Sequence, residues 1–148
     1  MKPNKFSVTT EVIVSFEDNL DNRYVLLFKN SDLDTWQLPT SYVGKDETAI
    51  ESAQRSIKEK VDLSIDKELF HFLNIYDNPE RHPINRTIAV AYFHFLEDIP
   101  SIKKAIKPPK KEGTWFNVND LPSLALDHVI IIKEFLEQQY PIQYPSNN

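Results

Sequence analysis

Residues 36–63 read WQLPTSYVGKDETAIESAQRSIKEKVDL, and this stretch does most to decide the fold. In its second half, apolar side chains recur at spacings of three, four and four residues: Ile50, Ala53, Ile57 and Val61. Because one turn of an α-helix takes about 3.6 residues, these side chains form a single apolar stripe. The spacing predicts a helix over residues 47–61, with Asp46 as its N-cap.

Two strand-like runs precede this stretch, over residues 8–16 and 23–29. In the first run, alternate side chains divide into two sets, one with Val12, Val14 and Phe16 and the other with Glu11, Ile13 and Ser15. The polar residues 18–22 between the runs are typical of a turn. We therefore expect a β-hairpin ahead of the helix.

The second half of the chain carries three further strand patterns and one helix pattern. Residues 69–76 and 87–96 predict two strands joined by the polar loop 77–86, and residues 114–118 predict a short third one. Residues 97–113 contain three prolines and are expected to be irregular, whereas Asp127 precedes a closing helix that extends to residue 139. The order ββ-α-ββ-β-α predicts an α/β fold, a mixed β-sheet with helices packed on it.

Composition limits the kind of protein this chain can be. Its 148 residues suggest a single domain over residues 1–148, in which about 138–148 form a flexible tail. With 17 basic and 22 acidic residues, the net charge of −5 argues against broad wrapping of nucleic acid or of an anionic membrane. The chain has no cysteine and two glycines, which excludes thiol catalysis, a P-loop and a glycine-rich dinucleotide loop. Because no targeting or membrane-spanning segment is evident, a cytoplasmic location is expected.

The opening stretch resembles the Nudix box, G-x5-E-x7-R-E-U-x-E-E-x-G-U, in which U is aliphatic. Anchored on the arginine, five of the nine specified positions match: Glu47, Arg55, Ile57, Glu59 and Leu63. Four positions depart from the pattern, with Ser41 and Asp62 in place of glycines and Ser56 and Lys60 in place of glutamates. The preceding Trp36 and Leu38-Pro39 are also usual in this family.

Two later segments are similar to one branch of the same family. Residues 81–86, RHPINR, are similar to the Arg-Asp-Pro-Arg-Gly segment of Nudix proteins that handle ADP-ribose. Trp115-Phe116, Leu121-Pro122 and residues 124–128 look like the end of that branch, which includes transcriptional repressors of NAD metabolism. The resemblance implies a Nudix-like α/β/α sandwich, with the mixed sheet between helices 47–61 and 127–139.

The resemblance also implies a chemistry. Family enzymes hydrolyse a nucleoside diphosphate linked to another moiety, and carboxylates on the box helix hold Mg²⁺ or Mn²⁺. By this resemblance Glu59, Glu47 and Arg55 are the catalytic candidates, and Glu59 is a weak metal ligand. Lys60 would repel the ion, since two unit charges at about 4 Å repel by about 1 kcal/mol in water and a divalent ion doubles this. We expect Mg²⁺ or Mn²⁺ if the chain is active, and otherwise no cofactor.

Three basic side chains are candidates for binding a nucleotide. Lys60 could meet the diphosphate directly, and Arg81 and Arg86 could contact a phosphate or a ribose edge. The alternatives are a solvated loop for the two arginines, and drifted surface residues on a dead site for Lys60 and Ser56. A basic stretch from Lys103 to Lys111 is expected to be a solvated loop or a contact for an acidic partner, and Glu112 could be a stray metal ligand.

Three functions stay open on the sequence alone. The chain could be a Nudix hydrolase of ADP-ribose-like substrates, a non-catalytic sensor that binds such a nucleotide, or a partner-binding domain on a retired scaffold. The expected ligand is a small nucleotide, without direct DNA binding or membrane association, and a homodimer is left open. Metal-dependent turnover separates the first function from the others, and stabilisation by a ligand separates the second from the third.

Overall fold

The computed structural model describes residues 2–30, 34–104 and 113–141. Within them, seven β-strands form one sheet: β1 Ser7–Glu17, β2 Arg23–Asn30, β3 Thr35–Gln37, β4 Thr40–Tyr42, β5 His71–Tyr76, β6 Thr87–Phe95 and β7 Gly113–Asn117. The helices are α1 Ala49–Val61, α2 Ile99–Lys104 and α3 His128–Gln139, with a 3-10 turn at Lys67–Leu69.

The sheet is mixed, and β1 lies at its centre. The strand order is β3-β2-β1-β6-β5, with β4 paired to β1 and β7 paired to β2. β1 runs parallel to β6 over nine residue pairs and antiparallel to β2 and β4. The predicted hairpin of the first two strands is therefore confirmed, and the parallel pairing of β1 and β6 joins the two halves of the chain.

Two helices cover opposite faces of the sheet. On one face, α1 packs Ala53, Ile57 and Val61 against Val12 and Val14 of β1. On the other face, α3 packs Ile131, Ile132 and Phe135 against a second set of sheet residues that includes Ile13, Ala91 and Phe93. The predicted alternation along β1 is confirmed, because Val12 and Val14 enter one core and Ile13 enters the other. The molecule has the expected α/β/α sandwich.

The start of α1 differs from the sequence prediction. Its N-cap is Thr48 rather than Asp46, and the helix begins at Ala49 rather than at residue 47. Thr48 Oγ1 accepts the Glu51 N–H at 3.2 Å while Glu51 Oε1 accepts the Thr48 N–H at 3.1 Å. This reciprocal capping box satisfies two backbone donors. It leaves Glu47 outside the helix, where its carboxylate pairs with Arg55.

The sequence prediction missed two strands and one helix, and it placed the start of a further strand too early. β3 and β4 were not predicted, because three residues are too few to show an alternating pattern. Residues 99–104 form α2 within a segment predicted to be irregular; Asp98 Oδ2 accepts the Ser101 N–H at 2.8 Å, and Pro100 lies in the first turn, where proline is tolerated. β5 begins at His71 because the preceding residues take the 3-10 turn.

The C-terminal prediction is confirmed in part. α3 begins after Asp127 as expected, but the Asp127 side chain makes no capping hydrogen bond. Residues 105–112 and 142–148 lie outside the described residues, so most of the basic stretch, Glu112 and most of the expected tail lie there too. No helix in the described ranges is long and apolar enough to span a membrane.

Candidate functional site

Arg55 joins α1 to the loop that precedes it. Its guanidinium donates to both carboxylate oxygens of Glu47, at 3.0 Å from Nε and 2.7 Å from Nη2. Nη2 also donates to the Tyr42 carbonyl at 3.0 Å and to Ser41 Oγ at 3.1 Å. The Gly44 N–H donates to Glu47 Oε1 at 2.8 Å, and a Cβ at Gly44 would lie only 3.2 Å from that oxygen. Glu47 and Arg55 therefore hold the loop against the helix.

These contacts change the acidity of the carboxyl group. The Arg55 hydrogen bonds, followed by the Gly44 N–H, lower the pKa of Glu47 from 4.5 to about 2. The same hydrogen bonds with Glu47 raise the pKa of Arg55. The pair is thus fully charged over the physiological pH range.

We expect Glu47→Gln to destabilise the fold at neutral pH, with a deficit that fades in acid. A carboxyl whose pKa is depressed on folding stabilises the protein above its unfolded pKa of 4.5, and this contribution is lost as the pH falls toward about 2. Urea unfolding of wild type and variant at several pH values measures the difference. Glu137→Gln, at an exposed position of α3, is the matched control. A deficit that is constant from neutral pH down to the acid limit would contradict this assignment.

The next turn of α1 carries Ser56 and Lys60, at the positions where the resemblance expects glutamates. Ser56 is fully buried, and Lys60 Nζ donates to its Oγ at 3.0 Å and to the Thr40 carbonyl at 2.9 Å. One turn earlier, the buried Ser52 Oγ lies 3.4 Å from Thr10 Oγ1 and 3.3 Å from the Tyr42 carbonyl. The face of α1 with these residues packs against β1 and β4, so the ammonium group lies beside the sheet.

Glu59, the remaining carboxylate of the expected cluster, points away from that face. Its side chain is 60% exposed, and Oε2 pairs with Arg55 Nη1 at 3.3 Å. A hard divalent cation requires several oxygen ligands. Here the Glu47 carboxylate is paired with Arg55, and the ammonium of Lys60 lies beside Ser56. No group of three or more histidine, aspartate or glutamate side chains suited to a metal occurs among the residues that the structure describes. The residues of this face do not fit the family's metal.

A second polar cluster lies on the other face of the sheet, around Arg81. This side chain is 2% exposed, and its Nε and Nη2 donate to the two carboxylate oxygens of Asp127 at 2.9 and 2.8 Å. Nη1 donates to Thr87 Oγ1 at 2.7 Å, and Nη2 lies 3.4 Å from Glu11 Oε1. Burial alone would lower the pKa of Arg81, but the hydrogen bonds with Asp127 and the charge of Glu11 outweigh it and raise that pKa. Arg81 thus ties the loop before β6 to β1 and to the start of α3.

Glu11 was not singled out from the sequence, and it is the least exposed carboxylate in this cluster. It is 1% exposed, and Thr9 Oγ1 lies 3.2 Å from each of its oxygens. His128 Nε2 lies 3.7 Å from Glu11 Oε1, while Nδ1 of the same ring accepts the Leu38 N–H at 3.0 Å. The sequence did contain a signal for Glu11, which is an acidic residue within the alternating apolar pattern of β1. Because a buried acid is rare unless it is paired, such a residue indicates a polar cluster in the core.

Glu11 lies in the wall of a cavity of about 180 Å³. Thr9, Thr40, Tyr42, Arg81 and Thr87 also line it. The cavity therefore lies on the sheet between the Arg81 cluster and β4, the strand that contacts Arg55 and Lys60. Arg86 takes no part in lining it; its Nη1 donates to the Asp77 carbonyl at 2.9 Å, and its guanidinium lies 5.0 Å from the Phe6 ring.

The family model of the NUDIX domain matches residues 9–139. The chain belongs to the NUDIX family. An ADP-ribose pyrophosphatase of Methanocaldococcus jannaschii is 30% identical over 118 residues, which cover 78% of this chain and 67% of that protein. The match extends from β1 to the end of α3, so both polar clusters lie within the NUDIX domain.

Solved NUDIX structures share the fold. A mutT/nudix family protein from Listeria innocua superimposes with a TM-score of 0.80 at 20% identity, over 93% of this chain and 96% of that one. The NUDIX domain of Shewanella oneidensis NrtR, solved in complex with ADP ribose, gives a TM-score of 0.74 at 19% identity, over 92% and 90%. At these identities the likeness shows the fold alone.

Proposed function

We propose that this NUDIX protein binds an ADP-ribose-like nucleoside diphosphate beside α1, and that it hydrolyses such compounds weakly or not at all with metal ions. The observation that carries the proposal is the position of Lys60. Its ammonium lies between Ser56 Oγ and the Thr40 carbonyl, where the family pattern expects carboxylates around a cation.

The electrostatics of this position favour an anion over a cation. Lys60 extends from α1 to β4, and its ammonium donates to the Ser56 hydroxyl and to the Thr40 carbonyl. A positive charge at this position attracts a phosphate and repels a divalent cation. A diphosphate placed here gains a charge-assisted hydrogen bond, and no water is activated by this contact.

The ligand class is supported by the relatives. The Methanocaldococcus jannaschii relative is an ADP-ribose pyrophosphatase, and the NrtR domain was solved with ADP ribose. A role as a partner-binding domain on a retired scaffold remains the alternative. The two functions are distinguished by ligand binding, because a ligand at 100 times Kd that binds only the folded state adds about 2.7 kcal/mol of stability.

The test is thermal unfolding with ADP-ribose, for wild type and two lysine variants. We expect ADP-ribose to stabilise wild type, and Lys60→Met to weaken binding by about tenfold or more, because a hydrogen bond to a charged group contributes about 1.5–3 kcal/mol. Lys58→Met is the matched control: Lys58 is on the same helix, is exposed and pairs with Asp62. The absence of any stabilisation by ADP-ribose, ADP or related compounds would favour the alternative. An equal effect of both substitutions would show that Lys60 has no special role.

A further inference from the structure

The cavity beside Glu11 is lined by two buried charged side chains. Of its walls, the Glu11 carboxylate is 1% exposed and the Arg81 side chain 2%. Thr40 is common to both sites, since it lines the cavity and its carbonyl accepts a hydrogen bond from Lys60. Lys60 and the cavity lie on opposite faces of the sheet, so a nucleotide that reaches both has to cross the edge formed by β4.

The charge of this cluster disfavours a phosphate in the cavity. Arg81 directs four of its five N–H donors at Asp127, Thr87 and Glu11. His128 is a neutral imidazole, because its Nδ1 accepts the Leu38 N–H and cannot also carry a hydrogen. Two carboxylates against one guanidinium leave a net negative cluster, which repels phosphate and attracts neutral hydrogen-bond donors.

Glu11 has acceptor capacity to spare. A carboxylate offers two oxygens with about four lone-pair sites. Oε1 is approached by Arg81 at 3.4 Å and by His128 at 3.7 Å, while Oε2 has, in the described part of the chain, only the Thr9 hydroxyl that it shares with Oε1. The long Arg81 contact orients Glu11 without saturating it. A ligand with two adjacent hydrogen-bond donors would occupy the remaining acceptor sites of the carboxylate.

The size of the cavity restricts the ligand to one moiety. At about 180 Å³ it is smaller than the roughly 300–1,000 Å³ of pockets that hold a whole drug-sized molecule. Its walls combine apolar surface with hydrogen-bonding groups, among them three threonine hydroxyls and the Glu11 carboxylate. A sugar ring, with hydroxyl groups on adjacent carbons, suits these walls, and an acidic side chain on ribose hydroxyls is a recurrent recognition mode in dinucleotide-binding folds.

We infer that Glu11 is a specificity-determining residue that accepts hydrogen bonds from a ribose hydroxyl pair of the nucleotide, inside the cavity formed with Thr9, Thr87 and Arg81. Arg81 is a positioning residue in this arrangement, because it fixes the Glu11 carboxylate and takes no part in phosphate binding. The inference rests on the proposed nucleotide-binding function, and it identifies the ribose hydroxyl pair as the group of the nucleotide that Glu11 recognises.

The test is calorimetric titration of the full chain with three compounds: ADP-ribose, ADP, which lacks the terminal ribose, and 2′-deoxy-ADP-ribose, altered in the adenosine ribose. Glu11→Gln is compared with wild type, and Glu17→Gln, at the end of the same strand, is the matched control. We expect Glu11→Gln to lower the affinity for ADP-ribose by about 10- to 100-fold. The loss should be absent for ADP if the terminal ribose is bound, or absent for the 2′-deoxy compound if the adenosine ribose is bound.

The other outcomes overturn the inference. An equal loss for all three compounds would indicate general damage to the site, and no loss for any would remove Glu11 from recognition. If Glu11→Gln does not fold, the affinities of the wild-type protein for the three compounds provide the test. Wild type should then bind ADP-ribose about tenfold or more tightly than the compound that lacks the contacting hydroxyl. Equal affinities would refute the assignment. Failure of wild type to bind any of the three overturns the proposed function and this inference together, whereas binding without ribose discrimination overturns this inference alone.

Discussion

The double substitution Ser56→Glu with Lys60→Glu is expected to raise Mg²⁺- or Mn²⁺-dependent hydrolysis of ADP-ribose by at least about tenfold. Lys60 repels a divalent ion by about 2 kcal/mol in water at 4 Å, and by several-fold more at a partly buried site. Each 1.36 kcal/mol corresponds to a factor of ten in rate. The double variant removes that repulsion and supplies two carboxylates on the face of α1 that packs beside β4. Release of AMP with each metal measures the effect.

The single substitutions are the controls for this result. Ser56→Glu alone should gain little, since Lys60 Nζ already contacts the Ser56 side chain and would pair with the new carboxylate. Lys60→Glu alone removes the repulsion but leaves a serine at the buried position, so an intermediate gain is expected. Robust turnover by wild type that survives Glu59→Gln would show that the chemistry lies elsewhere.

Replacing Arg81 with methionine is expected to cost about 3–5 kcal/mol of unfolding free energy. Breaking a buried ion pair by removal of one partner leaves an uncompensated charge. Here both Glu11 and Asp127 would lose the guanidinium, and Thr87 would lose a donor. Urea denaturation monitored by tryptophan fluorescence measures the change.

Arg86→Met is the matched control, since Arg86 is on the same loop and donates to backbone carbonyls near the surface. Its loss should cost about 1 kcal/mol at most. A cost for Arg81→Met no larger than that for Arg86→Met would mean that the two acids around Arg81 do not depend on its charge.

Much of the fold was predictable from residue periodicity. The 3.6-residue stripe of α1 and the two-residue alternation of β1 were confirmed, because both elements present apolar side chains to a core. The elements that were missed are short. β3 and β4 form by pairing with neighbouring strands, and α2 begins at a side-chain cap. Each is too short to show a recognisable hydrophobic periodicity. The N-cap was misplaced because Asp46, Thr48 and Glu47 are all acceptors, and the choice among them depends on Glu51 and Gly44.

The candidate site was predictable only in part. The spacing of Glu47 and Arg55 identified a pair that does meet, at 2.7 Å. The sequence could not show that Ser56 is buried beneath Lys60, or that Glu59 points away, because the helical wheel does not reveal what packs against each face. Glu11, Arg81 and Asp127 are far apart in sequence and meet only through the parallel pairing of β1 with β6. Their cluster could therefore be recognised only in the three-dimensional structure.

Calorimetric titration of wild type with ADP-ribose, in excess Mg²⁺ and again in excess chelator, tests the central claim most directly. If Lys60 provides the positive charge at the diphosphate, Kd should change by less than about threefold, or about 0.7 kcal/mol, between the two conditions. Binding that collapses when the metal is removed would contradict the account, because it would show that a metal site survives on this NUDIX domain and bridges the protein to the diphosphate.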